Sequence, residues 1–280
     1  MTHFDLAASA RTSAALNASL PSYETEIDRH ADASLLHAVG NAWTRERFDG
    51  DFYLSSPSDP GRPACSLVFV QSKDGNTGAG NPAALGGGET DKHLIYEGLS
   101  RVAADGVLAG AETIRGGEVV FSVWHPELVQ LRESLGKPRH PSQIIATLRG
   151  LDLTRGLLFN TPRIQVVVLT TGECAGAMRG ALASRPWISV VVMEDQGGLP
   201  SAFAALMERG IARISCVGGR TIATQLIDAG LVQDVYLTTS AKTGGEPGTP
   251  FYPRPLAARI VLRKHGTGPE TGVVFEHLQL

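Results

Sequence analysis

The segment at residues 213–230 combines an apolar run, two consecutive glycines and a helical pattern. The apolar run ends at Val217, the glycines are Gly218 and Gly219, and the helical pattern starts at Arg220. Residues without a Cβ let backbone N–H groups approach an anion closely, and the helix dipole adds a favourable potential there. The pattern indicates a phosphate-binding turn. The alternative is a tight strand-to-helix connection that binds nothing.

Short β-rich apolar runs alternate with helical patterns through most of the chain. Predicted strands lie at residues 66–71, 106–110, 143–147, 163–171, 188–193 and 234–239, and predicted helices at 91–103, 175–183 and 199–209. This alternation implies a mostly parallel sheet covered by helices on both faces. The runs at 259–264 and 272–277 have no helix between them and predict an antiparallel hairpin. The predicted fold class is therefore α/β, with the dihydrofolate-reductase-like arrangement of a mostly parallel sheet closed by a C-terminal hairpin.

Composition and charge exclude several classes of protein. The chain has 280 residues, 42% of them hydrophobic, which is enough to bury a large core. Its 25 Lys and Arg residues nearly balance 28 Asp and Glu residues, so neither nucleic acid nor an anionic membrane is an expected partner. Cys65, Cys174 and Cys216 are far apart and odd in number, which favours reduced thiols in a cytoplasmic protein and no metal site.

The N-terminal part is expected to differ from the rest. Apolar residues at four-residue spacing, from Ile27 through Ala31, Leu35 and Val39 to Trp43, predict one helix over residues 27–48. The first 25 residues have no secretion signal and are expected to be mobile. Three prolines in residues 55–63 indicate a linker. We therefore predict an N-terminal extension at residues 1–62, with one helix and a Pro-rich linker, and a main domain at residues 63–280.

Several motifs occur in a consistent order relative to the predicted strands. They are Ser72-x-Asp74-Gly75, Ala104-Asp105-Gly-Val-Leu-Ala-Gly110-Ala-Glu-Thr113-Ile114-Arg115, Leu169-Thr170-Thr171, Val217-Gly218-Gly219 and Thr243-Gly244-Gly245-x-x-x-Thr249-Pro250-Phe251. The sequence from about Cys65 onward resembles the reductase domain of the bifunctional riboflavin-biosynthesis deaminase/reductase family. The zinc ligands of that family's deaminase half are missing, because no two cysteines are near each other.

The resemblance implies a homodimeric reductase that uses NADPH to deliver hydride to a pyrimidine- or pterin-like small molecule. Carried over residue by residue, the cofactor-binding set is Gly110, Thr113, Ile114, Arg115, Thr170, Thr171, Gly218, Gly219, Arg220 and Thr221. The last four would hold the pyrophosphate, and Thr170 and Thr171 would seat the adenosine ribose and its 2′-phosphate. The alternative for the threonines is ordinary strand-end and capping use.

At the other end of the predicted cleft, Ser72, Asp74 and Asn76 are the substrate-binding candidates, and Asp74 is the catalytic candidate. Asp74 is also the first residue of an Asp-Gly turn pair. Family members commonly carry Lys or Arg where this chain has Asn76, and Glu where it has Val217. These differences put the native riboflavin-pathway substrate in question.

Two other functions compete with this hypothesis. Residues 78–83 fit G-x-G-x-x-A after a strand, as in a Rossmann dehydrogenase, but three glycines at 86–88 interrupt the helix that should follow. We interpret residues 78–83 as a mobile loop over the pocket. A non-catalytic NADP(H)-binding sensor or interaction module is the second alternative, because Asn76 and Val217 replace groups that could move protons.

Overall fold

The structure is a computed structural model that describes residues 2–33, 36–114, 118–193 and 198–280. Its strands are β1 Tyr23–Asp28, β2 Leu36–Val39, β3 Phe52–Ser55, β4 Ala64–Gln71, β5 Gly106–Gly110, β6 Ser142–Ala146, β7 Val166–Thr170, β8 Ile188–Val192, β9 Arg213–Cys216, β10 Asp234–Thr239, β11 Arg259–Gly266 and β12 Val274–Gln279. The predicted strands are confirmed, with ends that differ by up to three residues.

The described residues form a main sheet of ten strands in the order β1-β11-β12-β10-β4-β9-β5-β6-β7-β8. In this spatial order, the seven strands from β10 to β8 are parallel to one another. The strands β12, β11 and β1 continue the sheet beyond β10, and each is antiparallel to its neighbours. Even β7, the second strand from one edge, is buried along its whole length, as a parallel sheet covered on both faces requires. The dihydrofolate-reductase-like α/β fold predicted from the sequence is confirmed.

Helices cover both faces of this sheet. They are α1 His3–Asn17, α2 Ala42–Phe48, α3 Gly88–Thr90, a π-helix at Asp91–Leu99, α4 Ser100–Val102, α5 Ala111–Ile114, α6 Pro126–Ser134, α7 Gly172–Leu182, α8 Leu199–Glu208 and α9 Arg220–Asp228. On one face, Phe203 of α8 and Leu226 of α9 pack with Leu108 of β5. On the other face, Phe4 of α1 and Met178 of α7 belong to a second cluster.

The prediction of one helix over residues 27–48 was wrong. The segment contains the end of β1, a 3-10 helix at His30–Asp32, then β2 and the short α-helix α2, while Leu35 lies outside the described residues. The side chain of Asn41 caps the N-terminus of α2, and Asp49, with φ of 56°, follows its last residue. Only Ile27 of the apolar pattern lies in β1, and this segment is a strand because it pairs with β11.

The expectation that the first 25 residues are mobile was also wrong for most of them. The helix α1 begins with a capping box in which Thr2 and Asp5 satisfy each other's backbone N–H groups. Among the described residues before residue 63 there are therefore two α-helices, α1 and α2, where the prediction has one. The division into domains at residues 1–62 and 63–280 stays a prediction.

A buried polar cluster joins this N-terminal part to the main sheet. Asp234 accepts hydrogen bonds from the backbone N–H and the hydroxyl of Ser55 at 2.9 and 2.6 Å, and the ring Nε2 of His277 lies 2.7 Å from the same carboxylate. Burial opposes ionisation of Asp234, but these partners outweigh it and lower its pKa. In the described part of the chain, no helix is long and apolar enough to cross a bilayer.

Candidate cofactor and substrate site

The candidate site lies at the carboxyl edge of the parallel strands. The segments after β4, β5, β7 and β9 all leave the sheet at this edge because the four strands run in the same direction. Ligands of open parallel sheets bind at this edge. The sequence-predicted residues therefore share one side of the molecule, although they do not all touch.

The double-glycine corner, Gly218 and Gly219, connects β9 to α9. Its φ values are 139° and 89°, which side chains with a Cβ rarely adopt. A Cβ added at Gly219 would lie 3.3 Å from Cγ2 of Ile222 and 4.0 Å from both the Cα of Gly110 and the hydroxyl oxygen of Thr113. The structure thus brings four of the predicted cofactor residues together: Gly110, Thr113, Gly218 and Gly219.

This corner is also the N-terminus of α9. Gly219 is the N-cap residue and has no side chain to bond the first N–H groups of the helix, so the turn presents free backbone donors. Arg220 and Thr221, the first two helical residues, are exposed. A diphosphate is the kind of group that this backbone can hold, since it supplies negative charge and several acceptor oxygens.

The two residues before the corner contribute no charge. Cys216 is fully buried, and burial raises the pKa of its thiol to about 12, which keeps the thiol protonated at neutral pH. Val217 is buried too, and its backbone N–H donates to the carbonyl oxygen of Leu108 at 2.9 Å. The wall beneath the corner is therefore apolar and offers no acid or base.

Thr170 and Thr171 lie farther along the same edge, at the end of β7. Three strand spacings separate β9, which leads into the corner, from β7, so the two threonines lie roughly 14 Å from the corner along the sheet. The Thr171 hydroxyl accepts a 3.3 Å hydrogen bond from the backbone N–H of Cys174 and caps α7, which is the capping use given above as the alternative for this residue. The Thr170 hydroxyl is buried and has no hydrogen-bond partner among the described residues.

Ile114 and Arg115 follow β5. Ile114, the last residue of α5, lines a cavity of about 1290 Å³ that reaches α1 and the start of α7. Arg115 lies outside the described residues. The cavity adds a residue that the sequence analysis missed, Arg149, which follows β6 at the same edge. Its position just after a strand was the signal that could have identified it.

The substrate candidates Ser72, Asp74 and Asn76 form one tight loop after β4. The backbone N–H of Ser72 donates to the carbonyl oxygen of Asn76 at 2.9 Å, and the N–H of Gly75 donates to the carbonyl oxygen of Ser72 at 2.9 Å. Gly75 has φ of 80°, which explains the Asp-Gly pair as a turn. Ser72 is buried, whereas the side chain of Asp74 is exposed.

The side chains of this loop bind a second loop, at residues 242–249. Asp74 accepts a 3.0 Å hydrogen bond from the backbone N–H of Gly244, and the Asn76 amide donates to the carbonyl oxygen of Gly244 at 3.0 Å. The Asn76 carbonyl oxygen also accepts from the N–H of Thr249 at 3.4 Å. Both side chains therefore hold the two loops together.

The loop at residues 242–249 also reaches the double-glycine corner. Glu246 forms an isolated β-bridge with Gly78, and its carboxylate lies 3.8 Å from the guanidinium of Arg220. It thereby connects the loop after β4 to the start of α9. A short 3-10 helix, Pro82–Leu85, follows Gly78 and Gly80, and Gly86 with φ of 87° separates it from α3, so no α-helix starts at these glycines as it would at a Rossmann turn. The described residues contain no group of three or more His, Cys, Asp or Glu side chains that could hold a metal ion.

Comparison with solved structures supports the fold. A pyrimidine reductase-like protein from Corynebacterium diphtheriae is 24% identical, with a TM-score of 0.61 over 78% of this chain and 91% of that chain. The riboflavin biosynthesis reductase Rib7 from Saccharomyces cerevisiae is 18% identical, with a TM-score of 0.54 over 80% and 92%. A Thermotoga maritima deaminase/reductase is 19% identical, with a TM-score of 0.54 over 78% of this chain and 56% of that chain.

No curated protein matches the chain significantly. The sequence model of the RibD C-terminal domain, by contrast, matches residues 64–271. This range contains β4 to β11, the double-glycine corner and both loops of the candidate site. Since the match covers well over half of the sequence and the fold agrees with it, the chain belongs to the RibD C-terminal domain family.

Proposed function

We propose that the protein is an NADPH-dependent reductase that acts on a pyrimidine- or pterin-like small molecule. The substrate would be similar to that of a 5-amino-6-(5-phosphoribosylamino)uracil reductase, the activity named for the Thermotoga maritima relative. The observation that carries the proposal is the double-glycine corner packed against Gly110 and Thr113 at the start of α9. Three free cysteines suit the cytoplasm, and we expect a homodimer.

The cofactor would lie along the carboxyl edge of the sheet. In this arrangement Gly218, Gly219, Arg220 and Thr221 bind the diphosphate through backbone N–H groups. The other residues of the proposed cofactor site are Gly110, Thr113, Ile114, Arg115, Thr170 and Thr171. When bound, NADPH supplies the hydride, and the protein's part is to hold donor and acceptor in line and to exclude water.

The substrate would lie near the loop that contains Ser72, Asp74 and Asn76. The exposed carboxylate of Asp74 has acceptor capacity left beyond its bond to Gly244, and it is our candidate for binding the amino groups of a pyrimidine-like ring. The same carboxylate is the candidate catalytic group. Asn76 would act indirectly, since its amide is used to hold residues 242–249 in place.

A non-catalytic NADP(H)-binding sensor or interaction module is the second candidate. It is favoured by the same hydrogen bonds of Asp74 and Asn76, because they give both side chains a structural role that needs no catalysis. It is favoured as well by the apolar, uncharged surroundings of Val217. Both candidates require the same nucleotide at the same corner.

Titration of the purified chain with NADPH and NADP, followed by fluorescence, tests the proposal. NADPH oxidation is then measured against a panel of pyrimidines and pterins. Binding together with oxidation in the presence of one panel member is the result expected of the reductase. Tight binding without oxidation for any compound favours the sensor, and failure to bind either nucleotide contradicts both functions.

A further inference from the structure

The helix α6 has a histidine as its N-cap residue. The ring Nδ1 of His125 accepts a 3.3 Å hydrogen bond from the backbone N–H of Glu127, in the first turn of the helix. The common N-cap residues Ser, Thr and Asn can accept such a bond at any pH, whereas an imidazole nitrogen accepts it only when it carries no proton. The cap of α6 therefore requires a neutral His125.

The same imidazole joins α6 to α2. The ring of Trp43 in α2 stacks on the ring of His125, with 4.3 Å between the centroids and 18° between the planes. Asn41, the N-cap residue of α2, donates from its side-chain amide to the carbonyl oxygen of Glu127 at 3.2 Å. His125 is only 9% exposed, so the stack is largely closed to water. The N-termini of the two helices therefore meet at this histidine.

A proton on His125 would add charge where its surroundings oppose it. Burial is the main reason, because a charged imidazole loses its hydration there, and it lowers the pKa of His125 below its ordinary value of 6.5. The charge of Glu127 in α6 opposes this shift, whereas His93 of the π-helix and Arg47 of α2 add to it. The N-terminus of α6 is also the positive end of a helix dipole, which disfavours a cation.

The acids on the π-helix are engaged with His93. Its Nδ1 lies 3.0 Å from the carboxylate of Glu97, and its Nε2 lies 3.2 Å from the carboxylate of Glu89. Glu127 is the acid whose charge acts on His125, but the group that it turns toward Nδ1 is its backbone N–H. A protonated Nδ1 would therefore face another donor in place of an acceptor.

We propose that the contact between α2 and α6 is a pH-sensitive switch, in which protonation of His125 removes the cap of α6 and detaches the first turn of α2. In the neutral state, the imidazole accepts the N–H of Glu127 and stacks on Trp43, so the two helices stay docked. In the protonated state the two N–H donors repel each other, and the buried imidazolium is more stable in water. The switch goes beyond the proposed function, since nucleotide binding has no part in it.

The movement is confined to the first turn of α2. At the other end of the helix Phe48 is fully buried, and its ring centroid lies 5.2 Å from that of Phe275 in the core. Farther along the chain, Ser55 bonds to the buried carboxylate of Asp234. These anchors hold the segment in place while the N-terminal turn of α2 opens. The switch thus changes the local exposure of the chain and leaves the fold intact.

Two measurements on the wild-type chain test the proposal. In an NMR titration of the ring protons, His125 should titrate below pH 6.5. The amides of Thr44 and Arg45, which bond to Asn41, should lose protection against hydrogen exchange about threefold or more between about pH 7 and about pH 5, after correction for the intrinsic rate. Amides of β5, in the middle of the sheet, should stay equally protected, which distinguishes local opening from unfolding of the whole chain.

His125→Asn identifies the titrating group. Asparagine is a strong N-cap residue whose side-chain oxygen accepts the N–H of Glu127 in neutral and in acidic solution, so the pH dependence of Thr44 and Arg45 should disappear. His30→Asn is the matched control. The ring of His30 also stacks on an aromatic ring, that of Tyr53 at 4.4 Å, but His30 is exposed and is not an N-cap residue. This variant should keep the wild-type pH dependence.

The outcomes are separable from those of the nucleotide titrations. If His125→Asn keeps the wild-type pH dependence at Thr44 and Arg45, another group titrates and the proposal is overturned. Equal protection of these amides in the wild type at both pH values overturns it as well, and so does a His125 that titrates at or above pH 6.5. The measurements on the wild type decide the matter even where His125→Asn does not fold, and none of them depends on NADPH.

Discussion

The backbone N–H of Gly110 donates a 3.3 Å hydrogen bond to the carbonyl oxygen of Gly218. This bond fixes the end of β5 against the double-glycine corner that follows β9, two segments separated by more than a hundred residues in sequence. Gly218 has φ of 139°, a conformation that residues with a Cβ rarely adopt, so this position favours glycine. The sheet itself therefore fixes the position of the corner.

Gly219→Asp should abolish NADPH binding. The new carboxylate would stand beside the diphosphate, and we expect a loss of at least about a hundredfold in affinity, or about 2.8 kcal/mol. Calorimetric titration measures it. Gly210→Asp is the matched control, since Gly210 also has a positive φ, 79°, but open space around it. Gly210→Asp should be destabilised by a similar backbone strain but should bind NADPH with wild-type affinity. If Gly219→Asp is folded and keeps its affinity for NADPH, the proposed site is wrong.

Asp74→Asn separates the two roles of Asp74. The amide oxygen can still accept the hydrogen bond from the N–H of Gly244, so the free energy of unfolding should change by less than about 0.5 kcal/mol. Loss of the negative charge should raise the KM of the substrate or lower kcat. Steady-state kinetics and urea unfolding on the same preparation measure both quantities. Wild-type kinetics in this variant would leave Asp74 with the loop-holding role alone.

Ser55→Ala should destabilise the whole fold. It removes the 2.6 Å hydrogen bond from the Ser55 hydroxyl to the buried carboxylate of Asp234, at a cost of about 1.5–3 kcal/mol. Urea unfolding measures the loss. Ser184→Ala, which removes an exposed 3.2 Å bond to the Ala181 carbonyl oxygen, is the control and should cost under about 0.5 kcal/mol. Equal losses in the two variants would mean that the buried cluster does not stabilise the junction.

Asp91 should make stability fall as pH rises. Burial, with a further contribution from Glu270, raises the pKa of Asp91 from 3.8 to about 7. Between about pH 4 and pH 7 the folded chain holds a proton that the unfolded chain has released. Asp91 alone therefore lowers the free energy of unfolding by about 1.4 kcal/mol per pH unit in this range.

The neutral variant Asp91→Asn lacks this contribution, so its stability should decline less steeply over the same pH range. Urea unfolding at several pH values gives the slope. Asp32→Asn, at an exposed aspartate, is the control for removing a charge and should keep the wild-type slope. Identical slopes in the wild type and Asp91→Asn would show that Asp91 is already ionised throughout the range.

Much of the fold could be predicted because its signals are local. The β-branched runs of the central strands and the glycines at 218 and 219 reveal strand, turn and helix within a few residues of each other. The N-terminal part could not be predicted in this way. Whether residues 23–28 form a strand depends on β11, more than 230 residues later, and an apolar pattern with helical spacing does not contain that information.

The site shows the same limit. The predicted cofactor residues at the ends of β5 and β9 lie together because these two strands are neighbours in the sheet. Their position just after parallel strands predicts this, since ligands of open parallel sheets bind at the carboxyl ends of the strands. The partners of Asp74 and Asn76 are backbone groups about 170 residues away, in a loop whose conformation no short motif specifies. The ion pair of Asp5 with Arg163 joins residues that are 158 positions apart, and local patterns do not reveal it either.

A crystal structure of the full chain soaked with NADPH tests the central claim most directly. The account predicts diphosphate oxygens about 3 Å from the backbone nitrogens of Gly219, Arg220 and Thr221. Bound NADPH with its diphosphate elsewhere, and the double-glycine corner in contact only with solvent, would contradict it.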